Sequence, residues 1–279
     1  MKRILVTGGM GLIGRELVEM LEQVEDFADI LVADIKDGDD ISDYETCKKL
    51  CKDMDEVYHL VGVKGSPKMT KERPVDFMKT MLMCDTAMIC AAQEMGVKKF
   101  LYTSSIAVEH SKTDTYPAWA KATAEKLIEA MRIQYPHGTE YVIVRPSNVY
   151  GRFDNFQAEH PMVITALIKK AMSGVIELYG DGKQSRDFIN AKDVARGMIQ
   201  AMEEMPERPV NLCSGKGVTI KHIAQIIAKE TGAVIDYRDV ENHVIGDTRR
   251  VMKINWNFKP EIEIKKGVAE VCRYVRNNQ

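Results

Sequence analysis

Three glycines at three-residue intervals, Gly8, Gly11 and Gly14, follow the short apolar run Arg3 to Val6 and precede helical spacing at Leu17, Met20 and Leu21. The order predicts a buried strand, a tight turn and a helix. Glycine suits such a turn because it permits positive φ, admits a pyrophosphate close to backbone N–H groups, and lets the helix pack near the strand. The N-terminus of that helix then faces the anion. Glycine-rich turns also serve as plain strand-to-helix connections, so this motif alone leaves nucleotide binding open.

A second apolar run, Ile30-Leu-Val-Ala-Asp34, ends in an acid twenty residues beyond Gly14. A carboxylate there accepts hydrogen bonds from an adenosine ribose and repels a 2′-phosphate. NAD is therefore expected over NADP, with Lys36, Lys2 and Arg3 as the nearby positive charges that argue the other way.

A chain of 279 residues buries a large core and suits one compact α/β unit, or one domain with a smaller lobe. No segment reaches membrane-spanning length, and the start reads as a strand rather than a charged and then apolar leader, so a cytoplasmic protein is expected. The 6 cysteines are scattered. Cys47 and Cys51 lie one helical turn apart without a second pair, which reads as plain thiols and no metal site. Acids and bases are interspersed at a net charge of −2, so neither nucleic acid nor an anionic membrane is an expected partner. The 17 methionines form no repeat and read as flexible core filler, or as part of a helical subunit interface.

Beyond Asp34, an acidic turn runs to Asp43 and a helix is predicted from Tyr44 to Met54, with Asp40 and Ile41 placed to clasp an adenine. Val57 to Val61 reads as another buried strand, within which His59 reads as a satisfied core histidine. It closes at a loop carrying Lys64, either a contact to cofactor phosphates or ribose or a solvated lysine. Further elements are a Met-rich helix from Phe77 to Met95, a strand from Lys99 to Thr103 ending in Ser104-Ser105, a helix from Trp119 to Tyr135 and a strand from Tyr141 to Arg145. Alternation of this kind implies a doubly wound parallel sheet, a Rossmann-like α/β fold. After it come a loop-like stretch from Pro146 to Phe156, a helix from Met162 to Ser173, a strand from Val175 to Tyr179, a strand from Arg186 to Ile189 and a helix from Ala191 to Glu203. The tail, with Val210 to Leu212, a helix from Ile220 to Thr231 and Val234 to Tyr237, reads as part of a smaller C-terminal α/β lobe that covers the cofactor domain. Residues 1–147 with about 186–204 are assigned to the dinucleotide-binding domain, and about 148–185 with 205–279 to the substrate-binding lobe.

Several motifs together resemble the extended short-chain dehydrogenase/reductase superfamily, in its nucleotide-sugar epimerase/dehydratase branch. They are Thr7 to Gly14, Asp34, Asp40-Ile41, His59-Leu60, Tyr102 to Ser105, Lys121 with Glu125, Arg145 to Gly151, Gly180 to Gly182, Arg186 to Ile189, Asp193 to Ala195, Asn211 to Gly215 and Gly246-Asp247. The resemblance implies that the dinucleotide lies against Gly8, Gly11, Leu12, Ile13, Gly14, Asp34, Asp40, Ile41, Leu60, Lys64 and Lys121. It implies that Ser105 hydrogen-bonds the reacting sugar oxygen, and that Asn148 and Arg186, joined by Arg249 or Arg250, contact a nucleotide diphosphate. Each arginine also reads as an ordinary surface residue. Family members commonly pair their two long helices into a four-helix interface, so a homodimer is expected.

In the usual arrangement a tyrosine four residues before the lysine shares its helix face, so that ammonium and phenolate stabilise each other. Here that position is Pro117, and the nearest tyrosine is Tyr116. Five residues rotate a side chain by about 140° on an ideal helix, away from the lysine. Proline suits a helix's first turn, which would leave Tyr116 just outside the helix and free to swing in. Two readings stay open: a displaced catalytic Tyr116, or a site without a tyrosine base.

Other departures narrow the chemistry. Ile106-Ala107 stands where the sugar dehydratases carry an Asp-Glu pair. Tyr150 to Phe156 with Met162 to Leu167 is similar to the fucose synthases, but Ala107 and Met162 stand where those carry an epimerising Cys and His. Met81 replaces the usual asparagine of the long helix. Gly62 to Lys64 looks like the corresponding loop of UDP-sugar 4-epimerases. An NAD-dependent nucleotide-sugar 4-epimerase is the leading expectation, with Ser105, Tyr116 and Lys121 as its catalytic residues. A 4-keto-sugar reductase, and a dinucleotide-binding regulator without turnover, are the rivals.

Overall fold

The glycine turn joins β1 (Lys2–Thr7) to α1 (Leu12–Val24), the first of the alternating units. The computed structural model describes residues 1–24, 28–63, 67–109, 115–159, 161–239 and 251–278. β2 (Ala28–Ala33), β3 (Glu56–His59), β4 (Lys99–Thr103), β5 (Glu140–Pro146) and β9 (Val210–Leu212) join β1 in one six-stranded sheet ordered β2-β1-β3-β4-β5-β9. All its pairings are parallel, as the doubly wound reading requires. Apart from the edge strand β2, whose Leu31 is exposed, the strands are largely buried because helices cover both faces.

One face packs on α2 (Tyr44–Cys51), α4 (Pro74–Glu94) and α5 (Tyr116–Gln134), through a core that includes Leu5, Val57, Cys51, Met88, Ile89, Tyr102 and Ile128. The other packs on α1 and α7 (Ala191–Glu204), through Ile4, Leu17, Val142, Val144, Val194 and Met198. A short helix, α3 (Pro67–Glu72), precedes α4. All 6 cysteines are unpaired, five of them buried. Burial pushes the Cys47 and Cys51 thiols up to about 12, which leaves them inert as nucleophiles.

The second layer departs from expectation in three places. Asn148–Tyr150, within the stretch that reads as loop, forms β6, and pairs in parallel with β8 (Ser185–Asn190). β8 pairs on its other side with β10 (Gly217–Thr219), so residues 185–190 form the middle strand of this smaller sheet, while Ile189 packs into the core under α1 and α7. Conversely β9, assigned from sequence to the small lobe, is the last strand of the central sheet. α6 (Val163–Met172), β7 (Val175–Tyr179), α8 (Ile220–Thr231), β11 (Val234–Arg238) and α9 (Ile264–Asn277) complete the layer around a separate apolar core, with β7 parallel to β11.

An ion pair between a buried carboxylate and a half-buried arginine fastens the two layers. Glu16 in α1 is 2% exposed, and Arg152, just after β6, meets it with two parallel bonds of 2.9 Å. Arg152→Ala would leave that carboxylate buried without its cation, a loss of about 3 kcal/mol that a shift in the urea midpoint reads directly.

Candidate active site

The carboxyl ends of β1, β3 and β4 lie side by side, and Gly8, Leu60 and Ser105 follow close behind them. Gly8 takes φ +71° immediately after β1, and its N–H donates to Ala33 O at 2.8 Å. A Cβ at Gly14 would sit 2.4 Å from Gly8 O and 2.6 Å from Gly9 Cα, so α1 approaches the turn as only glycine allows. Leu12 and Gly14 are buried and Ile13 half-buried in the first turn of α1, with Gly11 just ahead of it. This open turn of backbone N–H groups at a helix N-terminus fits a dinucleotide's pyrophosphate.

Asp34, directly after β2, is buried and accepts from the N–H groups of Met10 at 3.1 Å and Lys36 at 3.2 Å. The Lys36 ammonium bonds Met10 O at 3.1 Å, so a positive charge does stand near Asp34. Asp40 is exposed, and its bonds from the Ser42 hydroxyl and N–H hold its carboxyl below the ordinary 3.8. Ile41 is buried in the core and Leu60 closes β3 with its N–H on Thr7 O at 3.0 Å. Lys64, Arg249 and Arg250 lie outside the described residues.

At the end of β4, Ser105 Oγ accepts the Ala107 N–H at 3.2 Å, which caps the turn that follows. The same hydroxyl has a proton of its own to donate. Beside it, Ser104 Oγ donates to Glu125 at 2.5 Å, and Arg145 closes on Glu125 through Nε at 2.9 Å and a terminal nitrogen at 2.5 Å. That cluster anchors α5 against β4 and β5.

Lys121, on the same face of α5 as Glu125, is buried, and its Nζ bonds Val61 O at 3.3 Å and the Asp85 carboxylate at 3.3 and 3.4 Å. Asp85, in the middle of α4, is also contacted by Tyr102 Oη at 2.6 Å and His59 Nε2 at 3.1 Å. His59 Nδ1 in turn meets Thr7 Oγ1 at 2.7 Å. A carboxylate only accepts, so His59 Nε2 carries the proton and Nδ1 accepts from the Thr7 hydroxyl. Burial drives His59 below its ordinary value of 6.5 and keeps it neutral. Burial, reinforced by Asp85, holds the Tyr102 phenol well above 10.0, so it acts as a fixed donor. Sequence reasoning missed Asp85; the available signal was a lone acid inside the apolar run Met81 to Ile89.

Tyr116 does not lie outside the helix. Thr115 is the N-cap, its hydroxyl accepting Ala118 N–H at 3.4 Å, and Tyr116 is the first residue of α5 with 54% of its surface exposed. Its direction is therefore set by the helix, about 140° from Lys121. Asn148 donates its side-chain amide to Asp187 O at 2.8 Å in the small sheet, and half-buried Arg186 lies in the adjoining β8.

Residues 4–213 match the model of the NAD dependent epimerase/dehydratase family. The chain belongs to that family. Among its curated relatives, GDP-L-fucose synthase of Escherichia coli is 26% identical over 322 residues, covering 100% of this chain and 98% of the relative. dTDP-4-dehydro-6-deoxy-D-allose reductase of Streptomyces bikiniensis is 24% identical, covering 99% and 97%. The crystal structure of Thermotoga maritima UDP-glucose 4-epimerase with UDP-glucose superposes with a TM-score of 0.85 at 22% identity, over 99% of each chain, and shares its fold. Among the described residues no helix is long and apolar enough to cross a membrane, and no cluster of His, Cys, Asp and Glu could hold a metal ion. The chain is an enzyme of the NAD dependent epimerase/dehydratase family and takes a nicotinamide dinucleotide as its cofactor.

Proposed function

We propose that this enzyme is a nucleotide-sugar 4-epimerase that works through a transient 4-keto sugar with NAD. The reading rests on one juxtaposition: a buried lysine ammonium at the carboxyl end of β3 and a serine hydroxyl at the end of β4, on the edge that carries the glycine turn. When bound, NAD supplies a hydride acceptor and donor at the sugar carbon. Lys121 donates to the nicotinamide ribose and Ser105 to the reacting sugar oxygen. Asn148 and Arg186 contact the nucleotide diphosphate, Arg186 as a bidentate partner. Asp34 accepts from the adenosine ribose, which favours NAD. Inversion at C4 asks for no acid pair after Ser105, where Ile106 and Ala107 stand.

The proton on the sugar hydroxyl is the remaining demand. Tyr116 is the phenol nearest Lys121 in the chain. If Tyr116 accepts that proton, Tyr116→Phe lowers kcat by about a hundredfold or more, in the range of general-base loss, with unchanged dinucleotide affinity. An unaffected kcat removes tyrosine from the chemistry.

A second reading, a 4-keto-sugar reductase, is favoured by the name of one curated relative, dTDP-4-dehydro-6-deoxy-D-allose reductase. Proton NMR of NAD with UDP-, GDP-, CDP- and dTDP-sugars separates the two. An inverted C4 without net change in the dinucleotide supports the epimerase, whereas stoichiometric oxidation of NADH or NADPH by 4-keto sugars supports the reductase. Val75 and Met83 on α4, with Trp119 and Ile133 on α5, are exposed apolar residues that fit the family-type homodimer, whose mass light scattering reads.

A further inference from the structure

An aspartate with no exposed surface in the interior of α4 has to be matched, and every contact it makes leads towards the cofactor edge. We propose that Asp85 is the positioning residue for Lys121: it holds the ammonium at the dinucleotide site and so sets dinucleotide affinity. The assignment rests on the reading that Lys121 binds the nicotinamide ribose.

Lysine carries four rotatable bonds and a compact charge, and an ammonium in a buried niche needs something to fix its direction. Here one N–H faces Val61 O and another is shared between the two Asp85 oxygens, at 3.3 to 3.4 Å. An ammonium has three donors, so the third remains for a ligand hydroxyl. Asp85 cannot itself wander, because Tyr102 Oη and His59 Nε2 each pin one of its oxygens. His59 then reaches Thr7, the residue immediately before Gly8. The glycine turn and the lysine are thereby held in register across β1, β3 and β4 by one carboxylate.

The test is a double-mutant cycle on the full-length protein, with NADH affinity read by fluorescence titration and folding read by thermal melting. Asp85→Asn is expected to weaken NADH binding about tenfold, the size of a contact-pair coupling. Lys121→Met weakens it at least as much, and the double variant no further than Lys121→Met alone. Asp193→Asn, which alters an equally buried carboxylate that caps the chain at Glu261 and Ile262, lowers the melting temperature while leaving NADH affinity in place. Asp85→Asn behaving like Asp193→Asn, or losses that simply multiply in the double variant, would overturn the proposal. The wild-type protein supplies an arm independent of variant folding. Its Lys121 ammonium, assigned by the signal missing from Lys121→Met or Lys121→Arg, should exchange slowly in proton–nitrogen NMR; fast exchange defeats the proposal. Wild type that binds neither NADH nor NADPH overturns the cofactor reading itself, a result distinct from an Asp85→Asn variant that binds normally.

Discussion

Gly14→Ala is expected to cost about 3 kcal/mol of stability and about a hundredfold in dinucleotide affinity. The added Cβ would lie 2.4 Å from Gly8 O, 2.6 Å from Gly9 Cα and 2.7 Å from Gly9 C. These are backbone atoms, so no side chain can turn aside. α1 must move away from β1, and the N–H groups proposed to meet the pyrophosphate move with it. Gly11→Ala provides the scale, since its Cβ would meet only Gly8 O at 3.1 Å. A titration with NADH and a melting curve on both variants should rank Gly14→Ala far below Gly11→Ala. Equal affinities would mean that the turn does not hold the dinucleotide.

Lys121→Met is the second large effect. It removes the cation of a pair whose carboxylate has no exposed surface, and such a loss costs about 3 kcal/mol. The pH dependence follows from Asp85. Burial pushes its carboxyl up, but the Lys121 ammonium, followed by His59 and Tyr102, outweighs burial and leaves it below 3.8. A carboxyl lowered on folding contributes stability above its ordinary value and loses it as pH falls through the native one. Without the ammonium, burial dominates and the carboxyl rises, so the variant gains relative stability as Asp85 takes up a proton. Urea midpoints of wild type and variant should therefore lie far apart at pH 7 and converge towards pH 4 and below. A gap that stays constant would show that Asp85 is not the carboxylate left behind.

Much of the dinucleotide half is legible in the chain because its signals are local. Gly8 to Gly14 has one economical geometry, and Lys99 to Thr103 is a strand with its stated bounds. Partnership is another matter. Val210 to Leu212 reads as a strand, but three residues do not say which sheet they join, and β5 claims them. Asn148 to Tyr150 lies in a run rich in Pro, Ser and Gly that favours a loop, yet β8 supplies it with a partner. α9 carries a legible signal, since Val268, Val271, Cys272 and Val275 keep helical spacing with Lys and Arg on the opposite face. At the site, Ser105 and Lys121 carry recognisable surroundings. Asp85 has meaning only once four elements fold around it.

The position of β9 also bears on how the chain matures. The central sheet is left at β5, and the chain then lays down β6, α6, β7, β8 and α7 before it returns to add the sixth strand. During synthesis, Val142 and Val144 wait for Val194 and Met198 of α7 and for Val210 and Leu212 of β9. The dinucleotide half therefore has no finished form as an early fragment. Its last strand emerges after much of the other layer, which makes folding a property of the whole chain.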